Sequence, residues 1–305
     1  MFERGNAYAR AAPRARVGRV RTLLEFVKIE HTLFALPFVL AGMLVGFATL
    51  DAPFSWTTFA LVLVAATGAR TLGMTLNRIV DKAIDARNPR TATRALPAGQ
   101  MSLGTAAGIA IVAAAALVVS AALLNPLVLW LSPVLVLLFF LYPYAKRVTW
   151  ACHFVLGLAF LCAPAGGFLA VTGGFAGWVP PFLLGLAAMA WVAGFDIIYA
   201  LLDVEFDRAN GVHSFPADWG EWNARRLAVG LHVLVVLFLL IFARVSSLGW
   251  PMYLAVAAVA ALLWYEHATV DPRDPVAINK AFFHVNAVVG WIVLAGLVAA
   301  LFVAA

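Results

Sequence analysis

Two acidic clusters in the sequence have spacings that could hold a divalent cation. The first reads Asn77-Arg-Ile-Val-Asp81-Lys-Ala-Ile-Asp85, so its oxygen-bearing side chains stand at i, i+4 and i+8. Side chains at this spacing share one face of a helix. Carboxylate and amide oxygens suit Mg²⁺, which completes its octahedron with water and phosphate oxygens. Taken alone, the cluster also fits a helix end that carries solvated charges.

The second cluster lies far along the chain and contains Asp196, Tyr199, Asp203 and Asp207. Asp203 and Asp207 are again four residues apart, and Asp196 precedes Asp203 by seven residues, which places all three on one side of a continuous helix. Like charges held together need a cation between them. Acidic side chains within membrane segments are functional by default. We therefore expect both clusters to serve one cation-binding site.

The composition places these clusters in a membrane protein. Of the 305 residues, 64% are hydrophobic and 12% are charged, whereas soluble chains carry about 45–50% apolar and about 25% charged residues. The net charge of +6 could indicate a nucleic-acid partner. Basic cytoplasmic loops facing anionic lipid explain it better. The expected partner is thus the lipid bilayer; we predict no nucleic acid and no protein partner.

The elements that must position the clusters are apolar runs of membrane-spanning length, about 17–25 residues each. The fold class is therefore all-α, a polytopic bundle of nine transmembrane helices preceded by a basic cytoplasmic arm over residues 1–30, with the membrane domain over 31–305. The predicted spans are 32–50, 56–80, 103–124, 127–144, 150–173, 178–202, 224–244, 248–267 and 280–304.

Charge distribution predicts the orientation. With the N-terminus in the cytoplasm, every Lys and Arg except Arg70 and Arg244 lies on the cytoplasmic side or near a span end there, as the positive-inside rule requires. Both acidic clusters then end spans at the cytoplasmic face of the cell membrane, and the outer loops are short. A transporter with acidic cation sites needs access from both faces and ionisable groups near the midplane. The asymmetry favours an enzyme over a transporter or a non-catalytic scaffold.

The motifs together resemble the UbiA superfamily of intramembrane aromatic prenyltransferases. The resemblance rests on Asn-x₃-Asp-x₃-Asp followed by Asn88-Pro-Arg-Thr, and on Asp-x-x-Tyr-x-x-x-Asp-x-x-x-Asp followed by Gly211-x-x-Ser214. Further matching segments are Lys28-Ile-Glu30-His31-Thr32, Tyr142-x-x-x-Lys146-Arg147 and Asn279-x-x-Phe282-Phe283. The resemblance implies a central cavity capped by cytoplasmic Asp-rich loops, and a Mg²⁺ cofactor.

The resemblance also implies roles for individual residues. Asp81, Asp85, Asp203 and Asp207, with Asn77 in support, are expected to hold Mg²⁺ and through it a polyprenyl diphosphate. Arg70 is expected to pair with a diphosphate or a carboxylate, or to form a structural ion pair. We expect Lys146 to contact diphosphate and Arg147 to pair with an acceptor carboxylate, although both also fit ordinary positive-inside charge; Arg94 is a weaker candidate of the same type. Asp196 is expected to orient the acceptor hydroxyl or take the ring proton, and Tyr199 to line the same pocket or stabilise the cation with its ring face.

The aromatic acceptor is the least determined part of this prediction. The chain looks most similar to the 4-hydroxybenzoate polyprenyltransferase branch, many members of which have Asp after the first Asn. This chain has Arg78 there, a variant that resembles a sister group linked to menaquinone made by the futalosine route. The acceptor is therefore 4-hydroxybenzoate or, alternatively, a dihydroxynaphthoate or another phenol, in quinone biosynthesis.

Overall fold

The computed structural model describes residues 19–27, 32–270, 274, 278 and 285–304, and within these ranges the chain is built from helices. Lys28, Glu30, His31, Asn279, Phe282 and Phe283 lie outside the described residues. The α-helices are α1 Arg19–Val27, α2 Thr32–Leu50, α3 Trp56–Arg87, α4 Leu103–Leu124, α5 Pro126–Ala145, α6 Cys152–Thr172, α7 Val179–Ala200, α8 Val204–Asn210, α9 Phe215–Trp219, α10 Glu221–Val245, α11 Trp250–Thr269 and α12 Asn286–Ala304.

Nine of the described helices, α2 to α7 and α10 to α12, correspond to the nine predicted spans. Eight are long and apolar enough to cross a membrane, and in α2 the apolar part Phe34–Leu50 is somewhat shorter. Large apolar side chains such as Ile111, Leu123 and Trp130 are exposed on the outer surface, where a bilayer rather than water would solvate them. The prediction of an all-helical, multi-pass membrane bundle is confirmed.

The length of α3 carries the first acidic cluster to one end of the bundle. The helix begins after Ser55, whose hydroxyl accepts a hydrogen bond from the Thr58 N–H, and it runs for 32 residues. At about 1.5 Å per residue it is about 48 Å long, whereas the hydrocarbon core is about 30 Å thick. Its last turns, with Asp81 and Asp85, therefore extend beyond the apolar part of the helix.

The second acidic cluster differs from the predicted continuous helix. Helix α7 ends at Ala200, a 3₁₀ turn spans Leu201–Asp203, and α8 begins at Val204. Gly211 then ends α8 with φ +66°, and its N–H bonds the Asp207 carbonyl. A 3₁₀ turn advances the chain by three residues per turn rather than 3.6, so the seven-residue spacing from Asp196 to Asp203 does not fix their relative directions as predicted.

Glycines let α2 and α6 approach closely. Gly42 and Gly46 stand four residues apart on α2, and a Cβ at Gly42 would collide with the backbone of Pro164 on α6. A Cβ at Gly167 on α6 would likewise collide with the Val39 carbonyl of α2. Small residues at this spacing allow helix backbones to pack directly in membranes. The close α2–α6 contact fixes α6, and with it the helix start that reaches the site.

Helix α7 forms the centre of the bundle. Its Trp191 is fully buried, packs against Phe34 and Phe38 of α2, and donates from Nε1 to Asn286 Oδ1 of α12 at 2.7 Å. A buried indole needs a partner for its N–H, and Asn286 supplies one. Because α7 is interior, Asp196 near the end of this helix lies between the neighbouring helices.

Candidate functional site

The two acidic segments meet at one end of the bundle through contacts to Asp203. Asn88, directly after α3, donates from Nδ2 to Asp203 Oδ1 at 2.8 Å. Arg90 donates from Nε to the same oxygen at 2.9 Å and forms an ion pair from Nη2 to Oδ2. The Arg90 guanidinium also donates to the Tyr199 hydroxyl at 2.9 Å. The segment after α3 is thereby joined to the turn between α7 and α8.

Burial alone would lower the pKa of the Arg90 guanidinium. Its hydrogen bond to Asp203 and the nearby charges of Asp203 and Tyr199 outweigh that effect and raise the pKa above its ordinary value. Arg90 is therefore permanently cationic, and its planar guanidinium matches the carboxylate with two parallel bonds.

Asp81 is almost completely buried and is held by the segment that follows α5. Lys146 forms an ion pair from Nζ to Asp81 Oδ2, and Arg147 Nη2 lies 3.7 Å from Asp81 Oδ1. Arg147 also donates from Nη2 to the Val80 carbonyl at 2.8 Å. Lys146 and Arg147, which the sequence predicts to bind anionic substrate groups, are thus brought to the first acidic cluster.

The remaining two carboxylates of the predicted cation site are also engaged. Asp85 accepts two hydrogen bonds from Arg94 Nη1, at 2.8 and 2.9 Å. Asp207 accepts a hydrogen bond from the Ser214 hydroxyl at 2.9 Å. The charges of Asp203 and Lys146 both act on Asp207, and that of Arg94 acts on Asp203. The four carboxylates therefore belong to one electrostatic network.

Asp196 is oriented by a histidine at the start of α6. His153 Nδ1 lies 2.7 Å from Asp196 Oδ2, and the Phe215 backbone N–H donates to His153 Nε2 at 3.1 Å. Because Nε2 accepts, the proton of a neutral ring is on Nδ1, which donates to the carboxylate. Ser214, which binds Asp207, directly precedes Phe215, so one short segment contacts both Asp207 and the partner of Asp196.

Arg70 and Arg78 of α3 lie deeper than the carboxylates of the same helix. Arg70 is half-buried and interacts electrostatically with Tyr142 and Arg78. Arg78 is buried, whereas Asn77 is half-buried and has no hydrogen bond to another described residue. Asn77 therefore lies near the site without contacting the carboxylates that the structure joins.

The carboxylates of the site suit a metal ion that is bound partly by the protein and partly by a substrate. Among the described residues, no three His, Cys, Asp or Glu side chains form a ready-made metal site. Asp81 Oδ1 is nevertheless buried and accepts no hydrogen bond there. Mg²⁺ typically takes one or two carboxylates and fills its other positions with water and phosphate oxygens. The hard oxygen atoms and the unsatisfied Asp81 Oδ1 suit such an ion.

Comparison with known proteins places this arrangement in a family. The model of the UbiA prenyltransferase family matches residues 35–288, which include every acidic and basic group of the candidate site. The chain belongs to the UbiA prenyltransferase family. Among its relatives in this family, the 4-hydroxybenzoate solanesyltransferase of Synechocystis sp. is 32% identical over 245 residues, covering 79% of this chain and 80% of that one. The 4-hydroxybenzoate octaprenyltransferase of Vibrio campbellii is 29% identical over 247 residues, covering 81% and 85%.

Solved structures agree with the family assignment. A UbiA homolog from Aeropyrum pernix, solved in its apo form, has a TM-score of 0.80 and 32% identity, covering 89% of this chain and 98% of that one. A UbiA homolog from Archaeoglobus fulgidus bound to DMAPP and Mg²⁺ has a TM-score of 0.65 and 18% identity, covering 90% and 99%. At this lower identity the second structure shows a shared fold.

Sequence reasoning missed two residues that organise the site. Arg90 was noted only as part of the Asn-Pro-Arg-Thr motif, yet it is the main partner of Asp203. His153 has no metal-ligand spacing to other residues in the sequence, which therefore does not mark it as part of the site. A usable signal was that Asp196, placed inside an apolar span, needs a polar partner from a neighbouring helix. Asp218, unexplained by the sequence, accepts a hydrogen bond at Oδ2 from His213 Nδ1, with the atoms 2.9 Å apart.

Proposed function

We propose that this member of the UbiA prenyltransferase family transfers the polyprenyl group of a polyprenyl diphosphate to 4-hydroxybenzoate or a similar aromatic acceptor, with Mg²⁺ as cofactor. The observation that carries the proposal is the binding of Asp203 by Asn88 and Arg90, which brings both acidic segments to one end of the bundle. The names of the curated relatives support the acceptor, and the Mg²⁺ and DMAPP in the Archaeoglobus fulgidus structure support the metal and the donor class.

The four carboxylates hold the cofactor in this proposal. Asp81, Asp85, Asp203 and Asp207, with Asn77 in support, bind Mg²⁺, which when present neutralises negative charge on the departing diphosphate. The cations that now pair with these carboxylates, Lys146 on Asp81 and Arg94 on Asp85, bind the diphosphate oxygens in this proposal. Arg70, deeper on α3, adds positive charge behind them.

The transfer itself forms one carbon–carbon bond. The bond between the prenyl C1 and the diphosphate oxygen breaks, and its electron pair leaves with the diphosphate. In 4-hydroxybenzoate the carbon para to the hydroxyl carries the carboxyl group, so the ring carbon next to the hydroxyl attacks C1. The proton from that carbon passes to Asp196, which His153 holds in place by a hydrogen bond. Tyr199 presents an aromatic ring that stabilises cationic charge.

The site faces the cytoplasm in this proposal. The basic side chains that pair with the acidic clusters, Arg90, Arg94, Lys146 and Arg147, are all at that end of the bundle. An excess of Lys and Arg marks cytoplasmic loops. The protein is then a multi-pass protein of the cell membrane that receives both substrates from the inner side.

The test is a product assay with purified protein in nanodiscs. The protein is incubated with Mg²⁺, prenyl diphosphates of several lengths, and 4-hydroxybenzoate, a dihydroxynaphthoate or a simple phenol, and products are identified by mass. We expect a prenylated aromatic acid, no product in EDTA, and recovery when Mg²⁺ is restored. Cation flux through liposomes without any prenylated product would contradict the proposal and favour a transporter.

A further inference from the structure

Arg78 is a buried cation without a hydrogen-bonding or ion-pairing partner among the described residues. Only 6% of its surface is exposed. It has no hydrogen bond or ion pair with any residue that the structure describes, and its Nε is buried without a partner. Burying an ionised group without a partner is costly, since water is removed and nothing replaces it. A guanidinium cannot escape this cost by losing its proton, because it stays charged in proteins.

The surroundings of Arg78 add positive charge. The groups that interact with it electrostatically include Arg94 and Arg70, which repel it, and Asp85, which attracts it. Asp85 already accepts both of its short hydrogen bonds from Arg94. Tyr199 is the remaining close group. The position is therefore suited to an anion that the described residues do not supply.

Helix geometry places Arg78 on the membrane side of both carboxylates of α3. Arg78 precedes Asp81 by three residues and Asp85 by seven, so it shares their face of α3. It lies about 4.5 Å deeper along the helix axis than Asp81. Asp196 likewise precedes Asp203, inside α7 and not in the turn that follows it, so Arg78 and Asp196 both lie on the membrane side of the carboxylates of their own segments.

We propose that Arg78 binds the carboxylate of the aromatic acceptor, an inference that rests on the proposed function. A planar guanidinium binds a carboxylate through two parallel hydrogen bonds. Arg147, which the sequence suggested for this role, is already bound to the Val80 carbonyl and lies beside Asp81. Arg78 thus selects acceptors that carry a carboxylate and turns their phenolic side toward the carboxylate clusters.

The experiment compares a charged acceptor with its neutral isostere in wild type and Arg78→Gln. Transfer to 4-hydroxybenzoate and to 4-hydroxybenzamide is measured in nanodiscs, with KM determined for each acceptor and for the prenyl diphosphate. We expect Arg78→Gln to raise the KM for 4-hydroxybenzoate about ten- to a hundredfold. In the variant, the KM for prenyl diphosphate and the kcat/KM for 4-hydroxybenzamide should stay within about twofold of the wild-type values. The preference for the acid over the amide is then lost.

Two measurements keep a structural effect apart from a binding effect. The melting temperature of Arg78→Gln should equal or exceed that of wild type, because the variant removes an uncompensated buried charge. Arg78→Lys keeps the charge without the planar group and should lose part of the acid preference. Arg87→Gln is the matched control, since this exposed arginine on the same helix has no contact with the site, and we expect its kinetics to match wild type.

Several results would overturn the inference. A raised KM for prenyl diphosphate with the acid preference intact would assign Arg78 to the diphosphate, and a large loss of melting temperature would assign it to folding. Binding of radiolabelled 4-hydroxybenzoate without any prenyl donor is measured alongside. If wild type gives no product but binds the acid, and Arg78→Gln does not, the proposed function fails while the role of Arg78 stands. Equal binding by both proteins rejects that role.

Discussion

Arg90 binds Asp203 through two parallel contacts, from Nε to Oδ1 at 2.9 Å and from Nη2 to Oδ2, and so connects the segment after α3 to the turn between α7 and α8. The two segments are far apart in sequence and carry the two halves of the proposed cation site. Their relative placement depends on this pair together with the Asn88 hydrogen bond to Asp203.

We predict that Arg90→Lys loses this connection although it keeps the positive charge. A lysine cannot bind both Asp203 oxygens and the Tyr199 hydroxyl at once. The free energy of unfolding should fall by about 1–3 kcal/mol, measured as a lower melting temperature in detergent, and kcat should fall as well. Arg87→Lys, at the exposed last residue of α3, is the control and should leave both values unchanged.

Asp81→Asn and Asp203→Asn should remove activity without unfolding the protein. Each replaces a carboxylate of the proposed Mg²⁺ site with a neutral group of the same shape, and loss of one electrostatic stabiliser typically costs about 10²–10³ in kcat. Prenyl transfer at saturating substrate is the measurement, with melting temperature recorded in parallel. Near-normal activity in both variants would exclude these carboxylates from the reaction.

His153→Asn and His153→Leu should distinguish the hydrogen bond of His153 to Asp196 from the packing of its ring. The asparagine amide can donate to Asp196 from nearly the position of Nδ1, whereas leucine cannot donate. We expect His153→Leu to lower kcat about tenfold or more while the KM for prenyl diphosphate stays the same, and His153→Asn to recover part of that loss. Equal kcat values for the two variants would show that the hydrogen bond to Asp196 has no part in turnover.

Neighbouring glycines of α6 should respond oppositely to alanine. A Cβ at Gly167 collides with the Val39 carbonyl of α2, whereas a Cβ at Gly166 meets nothing within 4 Å. Gly167→Ala should therefore separate α2 from α6 and destabilise the protein by about 1–3 kcal/mol. Gly166→Ala should be neutral or stabilising, because alanine favours helices over glycine. Melting temperatures of the two variants in one detergent decide the comparison.

The sequence predicted the positions of the acidic side chains better than their partners. Asp81 and Asp85 lie on one helix at a spacing that local geometry fixes, and both are buried as expected of a shared face. Their partners Lys146 and Arg94 come from segments whose approach depends on how whole helices pack. A single sequence contains no information on that packing, so the ion pairs could not be assigned in advance.

The second cluster shows a different reason for an incomplete prediction. A continuous helix through Asp196, Asp203 and Asp207 was expected from spacing, but the 3₁₀ turn Leu201–Asp203 interrupts it. Over only three residues, a 3₁₀ turn and an α-helix require the same pattern of apolar residues. The sequence around Leu201 therefore does not distinguish the two. The contacts of Asn88 and Arg90 at Asp203, which are tertiary, coincide with this turn.

In the ligand-free protein the six charged groups of Lys146–Asp81, Arg94–Asp85 and Arg90–Asp203 neutralise one another in pairs. When a cation and a polyanion bind together, the cation can bind the carboxylates and the polyanion can bind the lysine and arginines. Substrate binding then exchanges one set of counter-ions for another. A cation alone would leave the basic side chains without a counter-ion, and a polyanion alone would leave the carboxylates without one. Such an exchange keeps these six groups neutralised both before and after strongly charged substrates bind.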